Sequence, residues 1–374
     1  MGIKRIASIS FLNQFIASAL AVLVPLLLLQ RGISIVEIGL ILSALPFIFL
    51  FARMIFAAIA DQSGFRPFFV IDWLTQVASI VIYIFAGTPF WFLAGKVTEG
   101  LRASAFWAVN RTAIFYYARG KEAKMAVRLS AVRTAGSAIG TALAGAIAAV
   151  FGLHYALLAL LAASLFQGFP AVSLKPYKKG FVSIAKTFSL LLPFGKGGAF
   201  WFAAIALGLY AIATYPIFYL VAPIFMRVER GLGYDTIGYV IAGYFLLNTL
   251  STWAGARFGI QFRSLALAQA LIFGTGCAFI ALMGSSLFIP FFLLLAVADG
   301  LSLVMFEAVI AKATKGKPSV STDIGFLHVP FRIAEFVSII FAGFAFQYLG
   351  YPVVFSVSAL AFAAYSYMGW RLLK

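Results

Sequence analysis

Eight acidic and basic side chains inside long apolar stretches are the residues of this sequence with the clearest chemical potential. Ionisable groups are costly to place in a lipid bilayer, so they usually mark a transport pathway or a buried ion pair. The acids and the bases are equal in number: Glu99, Asp299, Glu307 and Glu335, and Lys96, Arg102, Arg133 and Arg332. This set suits the binding of a charged solute or the exchange of a proton, and it also allows pairing that only joins helices.

The spacing of five of these residues places them side by side on helices. Lys96, Glu99 and Arg102 follow one another at intervals of three, so their side chains adjoin along one side of a helix. Arg332 and Glu335 have the same interval. Ion pairs within each group and binding of a solute are both open at this point.

Asp299 is the first candidate for a carboxyl group that binds and releases a coupling proton. Glu99 has a cation one turn away on each side, which favours its ionised form. Asp299 has no basic neighbour within a turn of its own helix. Glu307 is the second candidate, and a basic partner of Asp299 on another helix is the alternative.

The charges do not identify the solute. Lys96 and Arg102 favour an anionic or zwitterionic solute, whereas the acids could hold a cationic drug. Tyr210, Tyr215 and Tyr219 could stack on an organic solute, although packing or an interfacial position also explains them.

The elements that position these residues are apolar helices. Hydrophobic residues make up 63% of the 374 residues and charged residues 10%, against about 45–50% and about 25% in soluble domains. One soluble core could not bury so much apolar surface. The net charge of +17 comes from basic residues in short connections rather than from a stripe with interleaved aromatics, so we expect no nucleic-acid partner. Cys277 is the single cysteine, which excludes a disulfide framework or a cysteine metal site.

Twelve segments are long and apolar enough to span a bilayer, which takes about 20 residues. Their cores lie near 6–29, 35–56, 67–87, 90–114, 126–151, 153–174, 198–222, 236–256, 264–284, 286–311, 323–346 and 350–371. The central segment KPYKKGFVSIAK is polar and basic. We therefore predict an all-α polytopic membrane protein with a six-helix bundle at 1–174, a cytoplasmic linker at 175–197 and a second six-helix bundle at 198–374.

The distribution of Lys and Arg predicts that both termini are cytoplasmic. With the N-terminus inside, 21 of the 28 basic residues fall at or near the cytoplasmic side, 3 fall outside and 4 lie deep within spans. This is a strong positive-inside bias. An odd number of spans would remove it.

The two halves share features at a nearly constant offset of 199 or 200 residues. The pairs are GISIVEIG at 32–39 with GLGYDTIG at 231–238, EGL at 99–101 with DGL at 299–301, and Arg133 with Arg332. Such an offset indicates an internal duplication. Two related six-span halves are typical of transporters with a site between the halves.

The loop after the second span, AAIADQSGFRPF at 57–68, resembles the signature loop of the major facilitator superfamily, G-x-L-A-D-R-x-G-R-R. Asp61, Gly64 and Arg66 match, whereas Ala57 replaces the first glycine. The resemblance implies the major facilitator fold of twelve helices in two pseudo-symmetric bundles. It also implies a gating loop, in which Asp61 faces the start of span eleven near residues 322–325.

A second pattern of the family lies in the fourth span, where LAGKVTEGLRAS at 93–104 is similar to L-x-x-R-x-x-Q-G-x-G-A-A. Lys96 stands for the arginine, Glu99 for the glutamine, and Arg102 replaces a glycine. The pattern accompanies proton-coupled members, drug–proton antiporters especially. The resemblance implies that spans one, four, seven and ten line a central cavity, with Glu99 and Asp299 facing each other across it.

The glycines of the fifth span only hint at the family's antiporter pattern. Gly136, Gly140 and Gly145 are present and the proline of that pattern is missing. We interpret these glycines as positions of close helix packing.

The function that we predict is secondary active transport of a small organic solute by alternating access, with protons as the coupling ion. Drug efflux and solute uptake are both open, and the alternative is a non-transporting membrane sensor or assembly factor. We expect no enzyme activity and no cofactor, and no P-loop or H-E-x-x-H motif is present. The remaining expectations are a monomer, multi-pass in the cytoplasmic membrane, with the lipid bilayer and the solute as its partners.

Overall fold

The computed structural model describes residues 2–118, 122–175, 197–258, 261–283, 287–314 and 320–374. Within these ranges the chain forms α1 (Gly2–Gln30), α2 (Ile35–Ser63), α3 (Arg66–Phe85), α4 (Pro89–Tyr117), α5 (Glu122–Phe151), α6 (Leu153–Val172), α7 (Gly198–Pro216), α8 (Ala222–Val228), α9 (Tyr234–Arg257), α10 (Phe262–Met283), α11 (Phe288–Thr314), α12 (Val320–Leu349) and α13 (Tyr351–Leu373). A π-helical turn at Ile217–Val221 joins α7 to α8. Apart from the short α8, the described residues thus form twelve long helices, which confirms the all-α prediction.

Ten of these helices, over the residues that the structure describes, are long and apolar enough to cross a membrane. The two that fall short are α4 and α9. α4 carries Lys96, Glu99 and Arg102, and α9 carries Asn248 and other polar residues. These polar residues lower the mean hydropathy of the two helices below that of a typical span.

The start of α2 is fixed by a capping box. The Ser34 backbone N–H donates to Glu37 Oε2 at 3.1 Å, and the Glu37 backbone N–H donates to Ser34 Oγ at 3.3 Å. This reciprocal arrangement satisfies backbone donors that have no partner within the helix.

The helices form two compact units. The first comprises Met1–Ile33, Ala44–Ser189 and Leu232–Ala242, and the second comprises Ser34–Ser43, Leu190–Gly231 and Gly243–Lys374. The first turns of α2 thus belong to the second unit, and the first turns of α9 belong to the first.

Pairs of glycines allow the first turns of α2 and α9 to pack closely within the units to which they belong. In the first unit a β-carbon on Gly145 of α5 would lie 2.9 Å from the Cα of Gly238 in α9. In the second unit a β-carbon on Gly39 of α2 would lie 3.2 Å from the Cα of Gly343 in α12. Helix backbones approach this closely in membranes where both residues are small.

Two glycines of α5, Gly136 and Gly140, pack closely against α1. A β-carbon on Gly136 would lie 2.5 Å from the carbonyl oxygen of Phe11, and one on Gly140 would overlap the carbonyl oxygen of Phe15. The prediction of close helix packing at these positions is confirmed.

Candidate functional site

A buried ion pair on α4 forms the centre of a polar cluster in the first unit. Lys96 and Glu99 are 3% and 2% exposed, and Lys96 Nζ lies 2.9 Å from Glu99 Oε1. The Tyr83 hydroxyl of α3 donates to the same carboxylate oxygen. The predicted adjacency on one helix side is therefore confirmed, and the pair is internally compensated.

Arg102, one turn further along α4, has a different environment. Its side chain is buried, and its Nε–H has no hydrogen-bond acceptor among the described residues. It interacts electrostatically with Asp72 of α3. The hydrogen-bond donors that reach the Asp72 carboxylate are amide groups instead.

Asp72 is a buried acid that the sequence analysis missed. It is fully buried, and its two carboxylate oxygens accept hydrogen bonds from Asn13 Nδ2 at 2.7 Å and from Gln167 Nε2 at 2.8 Å. Gln76 donates in turn to Gln167. The signal was available, because Asp72 lies within the apolar core at 67–87 and the rule for intramembrane acids applies to it equally.

Asp299 of α11 is the centre of a polar cluster in the second unit. Tyr210 Oη donates to its Oδ1 at 2.7 Å, and Tyr244 Oη and Asn248 Nδ2 donate to its Oδ2 at 3.0 Å and 2.7 Å. The carboxyl group is 8% exposed. Its three donors come from α7 and α9 and are neutral, and no salt bridge to Asp299 is present in the part of the chain that the structure describes.

The glycine after each acid permits a close helix contact beside it. A β-carbon on Gly300 would overlap the carbonyl oxygen of Asn248 and lie 2.8 Å from the β-carbon of Ser251. One on Gly100 would lie 2.7 Å from the β-carbon of Ile48 in α2. The contact at Gly300 brings the α9 donors within reach of Asp299.

Arg332 and Glu335 of α12 form a salt bridge within one helix, which is one of the two outcomes that their spacing left open. The Arg332 guanidinium also lies 5.9 Å from the centre of the Tyr215 ring and 5.1 Å from that of Phe331. His328 packs its ring at 5.8 Å from that of Phe331. In this part of the second unit, aromatic rings therefore pack beside a single ion pair.

The other two predicted residues lie apart from these clusters. Arg133 of α5 is partly buried, and its guanidinium lies 5.3 Å from the centre of the Trp107 ring on α4. Glu307 of α11 is exposed. Their assignment to a solute cavity stays a prediction.

The predicted gating loop follows the end of α2. Gly64 has φ of +84°, a conformation that favours glycine, and its N–H donates to the carbonyl of Ala60 at 2.8 Å. Arg66 begins α3 and is partly buried. The side chains of Asp61 and of residues 321–324 lie outside the described set, so the latch stays a prediction.

Comparison with known proteins gives one family and one fold. The model of the Major Facilitator Superfamily matches residues 6–258. No curated protein matches the sequence. Among solved structures, the nucleoside transporter NupG, determined as its D323A mutant, has a TM-score of 0.83 over 100% of both chains at 11% identity. At that identity the likeness establishes the fold alone.

Proposed function

The chain belongs to the Major Facilitator Superfamily, and we propose that it moves a small organic solute across the cytoplasmic membrane with protons as the coupling ion. It is a multi-pass membrane protein and a secondary transporter, and members of this family are in general carriers rather than enzymes. Coupling, solute class and the membrane are the parts that the proposal adds.

The observation that carries the proposal is the environment of Asp299. A buried carboxylate is expensive unless a cation compensates it. Here the donors are two tyrosine hydroxyls and an amide, which are neutral. A proton is the simplest compensation that such a group can take up and give back.

The donors themselves support a reversible role. A hydroxyl group both donates and accepts, so Tyr210 and Tyr244 can rotate to bond either form of the carboxyl group. The site therefore keeps its hydrogen bonds through a change of protonation. We propose that alternating access opens this carboxyl group to water on each side in turn.

The first unit has the complementary role in this proposal. Glu99 already has Lys96 as a compensating cation at 2.9 Å and accepts a hydrogen bond from Tyr83, so this carboxylate is bound within its own unit. Asp299 rather than Glu99 is therefore the proton carrier.

The finer topology is part of the proposal. The offset of 199 or 200 residues and the equivalent glycine contacts beside Glu99 and Asp299 support two pseudo-symmetric halves. The Lys and Arg bias supports cytoplasmic termini. We propose that the transporter acts as a monomer without a cofactor. A reporter fused to each terminus that scored as external would contradict the orientation.

Reconstituted liposomes test the coupling. We expect an imposed pH gradient to drive concentrative solute uptake by the wild type, and Asp299→Asn to keep exchange down a solute gradient while losing the concentrative phase. Nucleosides belong in the solute panel because NupG is a nucleoside transporter. Glu229→Gln is the control, since it removes one exposed acid. pH-driven accumulation by Asp299→Asn would overturn the assignment.

A further inference from the structure

The first unit contains a buried guanidinium group whose Nε–H donor is not used. Arg102 is 5% exposed, and its Nε–H has no acceptor among the residues that the structure describes. Buried polar groups are nearly always hydrogen-bonded, and each exception calls for an explanation such as an ion or a ligand. A buried donor without an acceptor is destabilising, and more so when it is charged.

The neighbouring acids do not supply the missing acceptor. Glu99 bonds to Lys96 and to Tyr83. Asp72 accepts from Asn13 and Gln167 and acts on Arg102 only through its charge.

We propose that Arg102 binds the anionic group of the transported solute, a carboxylate or a phosphate. Guanidinium presents a planar fork of donors that matches both groups with two parallel hydrogen bonds. Lys96 is not the anion ligand, because its ammonium group is already paired with Glu99 at 2.9 Å. This inference rests on the proposed transport function and adds the solute class to it.

The four charges of this cluster balance while no anion is bound, so an incoming anion must compete with Asp72 for Arg102. Lys96 and Glu99 cancel each other, and Asp72 faces Arg102 across the contact of α3 with α4. The Asp72 charge stabilises an empty Arg102 and competes with an incoming anion. Asp72 therefore lowers the affinity of Arg102 for an anion without forming a hydrogen bond to it.

The test compares carboxylates with their amides on the purified protein. The probes are benzoate and gluconate against benzamide and gluconamide, with inorganic phosphate and uridine added, read as shifts of the melting temperature at neutral pH. We expect an anion to stabilise the wild type and its neutral counterpart to leave it unchanged. Arg102→Gln should weaken anion binding by about 10- to 100-fold, as expected for the loss of a hydrogen bond to a charged group.

Three variants keep the test decisive. Arg111→Gln is the matched control, because Arg111 is exposed on the same helix and its removal should leave anion binding unchanged. Asp72→Asn should strengthen anion binding, since it removes the competing carboxylate. If Arg102→Gln alone does not fold, the double variant Asp72→Asn/Arg102→Gln keeps the cluster neutral and should fold without binding the anion.

The outcomes separate this inference from the proposed function. No stabilisation of the wild type by any anion, equal stabilisation by the amides, or undiminished binding by Arg102→Gln would overturn the Arg102 site. Repeating the assay in nanodiscs of neutral phosphatidylcholine distinguishes a soluble anion from a lipid headgroup, and binding seen only with anionic lipid would also overturn it. Proton-driven uptake of a neutral solute would leave transport intact without this site. Anion binding without any flux would leave the site intact without transport.

Discussion

Glu99 and Asp299 occupy corresponding positions in the triplets EGL and DGL, yet the two buried acids have different kinds of partner. Glu99 is compensated by Lys96 on its own helix. Asp299 is held by neutral donors from two other helices. The comparison teaches that related helix positions can hold an ion pair in one unit and a carboxyl group with only neutral donors in the other.

The largest expected effect on stability is at the Lys96–Glu99 ion pair. Lys96→Met leaves Glu99 as an unpaired buried charge, and breaking one partner of a buried pair costs about 3–5 kcal/mol. The double variant Lys96→Met/Glu99→Gln removes both charges and should recover most of that loss. Melting temperatures in detergent measure both. Equal stability of the single and double variants would show that Glu99 does not depend on its cation.

A smaller effect is expected at the glycines beside the two acids. Gly300→Ala places a methyl group against the Asn248 carbonyl, and overpacking of this kind costs about 1–3 kcal/mol. Gly100→Ala should cost less, since the nearest atom, the Ile48 β-carbon, would lie 2.7 Å from the added β-carbon, whereas the one added at Gly300 would overlap the Asn248 carbonyl oxygen. Gly274→Ala is the control, because nothing lies within 4 Å of its added β-carbon. A larger loss of stability at Gly100 than at Gly300 would contradict the packing difference.

The smallest effect concerns a single donor. Tyr244→Phe removes one of the hydrogen bonds to Asp299 and should lower stability by about 1 kcal/mol. In the Asp299→Asn background, Tyr244→Phe should lower stability by less than it does in the wild type, since the two groups interact. If the stability losses of the two substitutions simply add, the Tyr244 hydroxyl does not interact with the Asp299 carboxyl group.

The local features of this fold were predictable from the sequence because they depend on neighbours along one helix. The long helices follow from runs of apolar residues. The pairs Lys96–Glu99 and Arg332–Glu335 follow from an interval of three. The glycines of α5 predict that this helix packs closely on a neighbour, although they do not identify α1 as that neighbour.

Contacts between helices were not predictable in the same way. The donors to Asp299 come from Tyr210 and Tyr244, far away in sequence, and only the packing of three helices brings them together. The sequence suggests stacking or packing for Tyr210, because nothing along its own helix directs its hydroxyl to an acid. Asp72 differs, since it lies in an apolar stretch where the expectation for intramembrane acids holds as well.

Proton flux during solute exchange tests the central claim most directly. Liposomes containing the purified transporter and an internal pH-sensitive dye report proton movement when a solute gradient is applied. We predict that the wild type moves protons together with solute, and that Asp299→Asn moves solute without a change of internal pH. Solute-dependent proton movement by Asp299→Asn at the wild-type ratio would contradict the account.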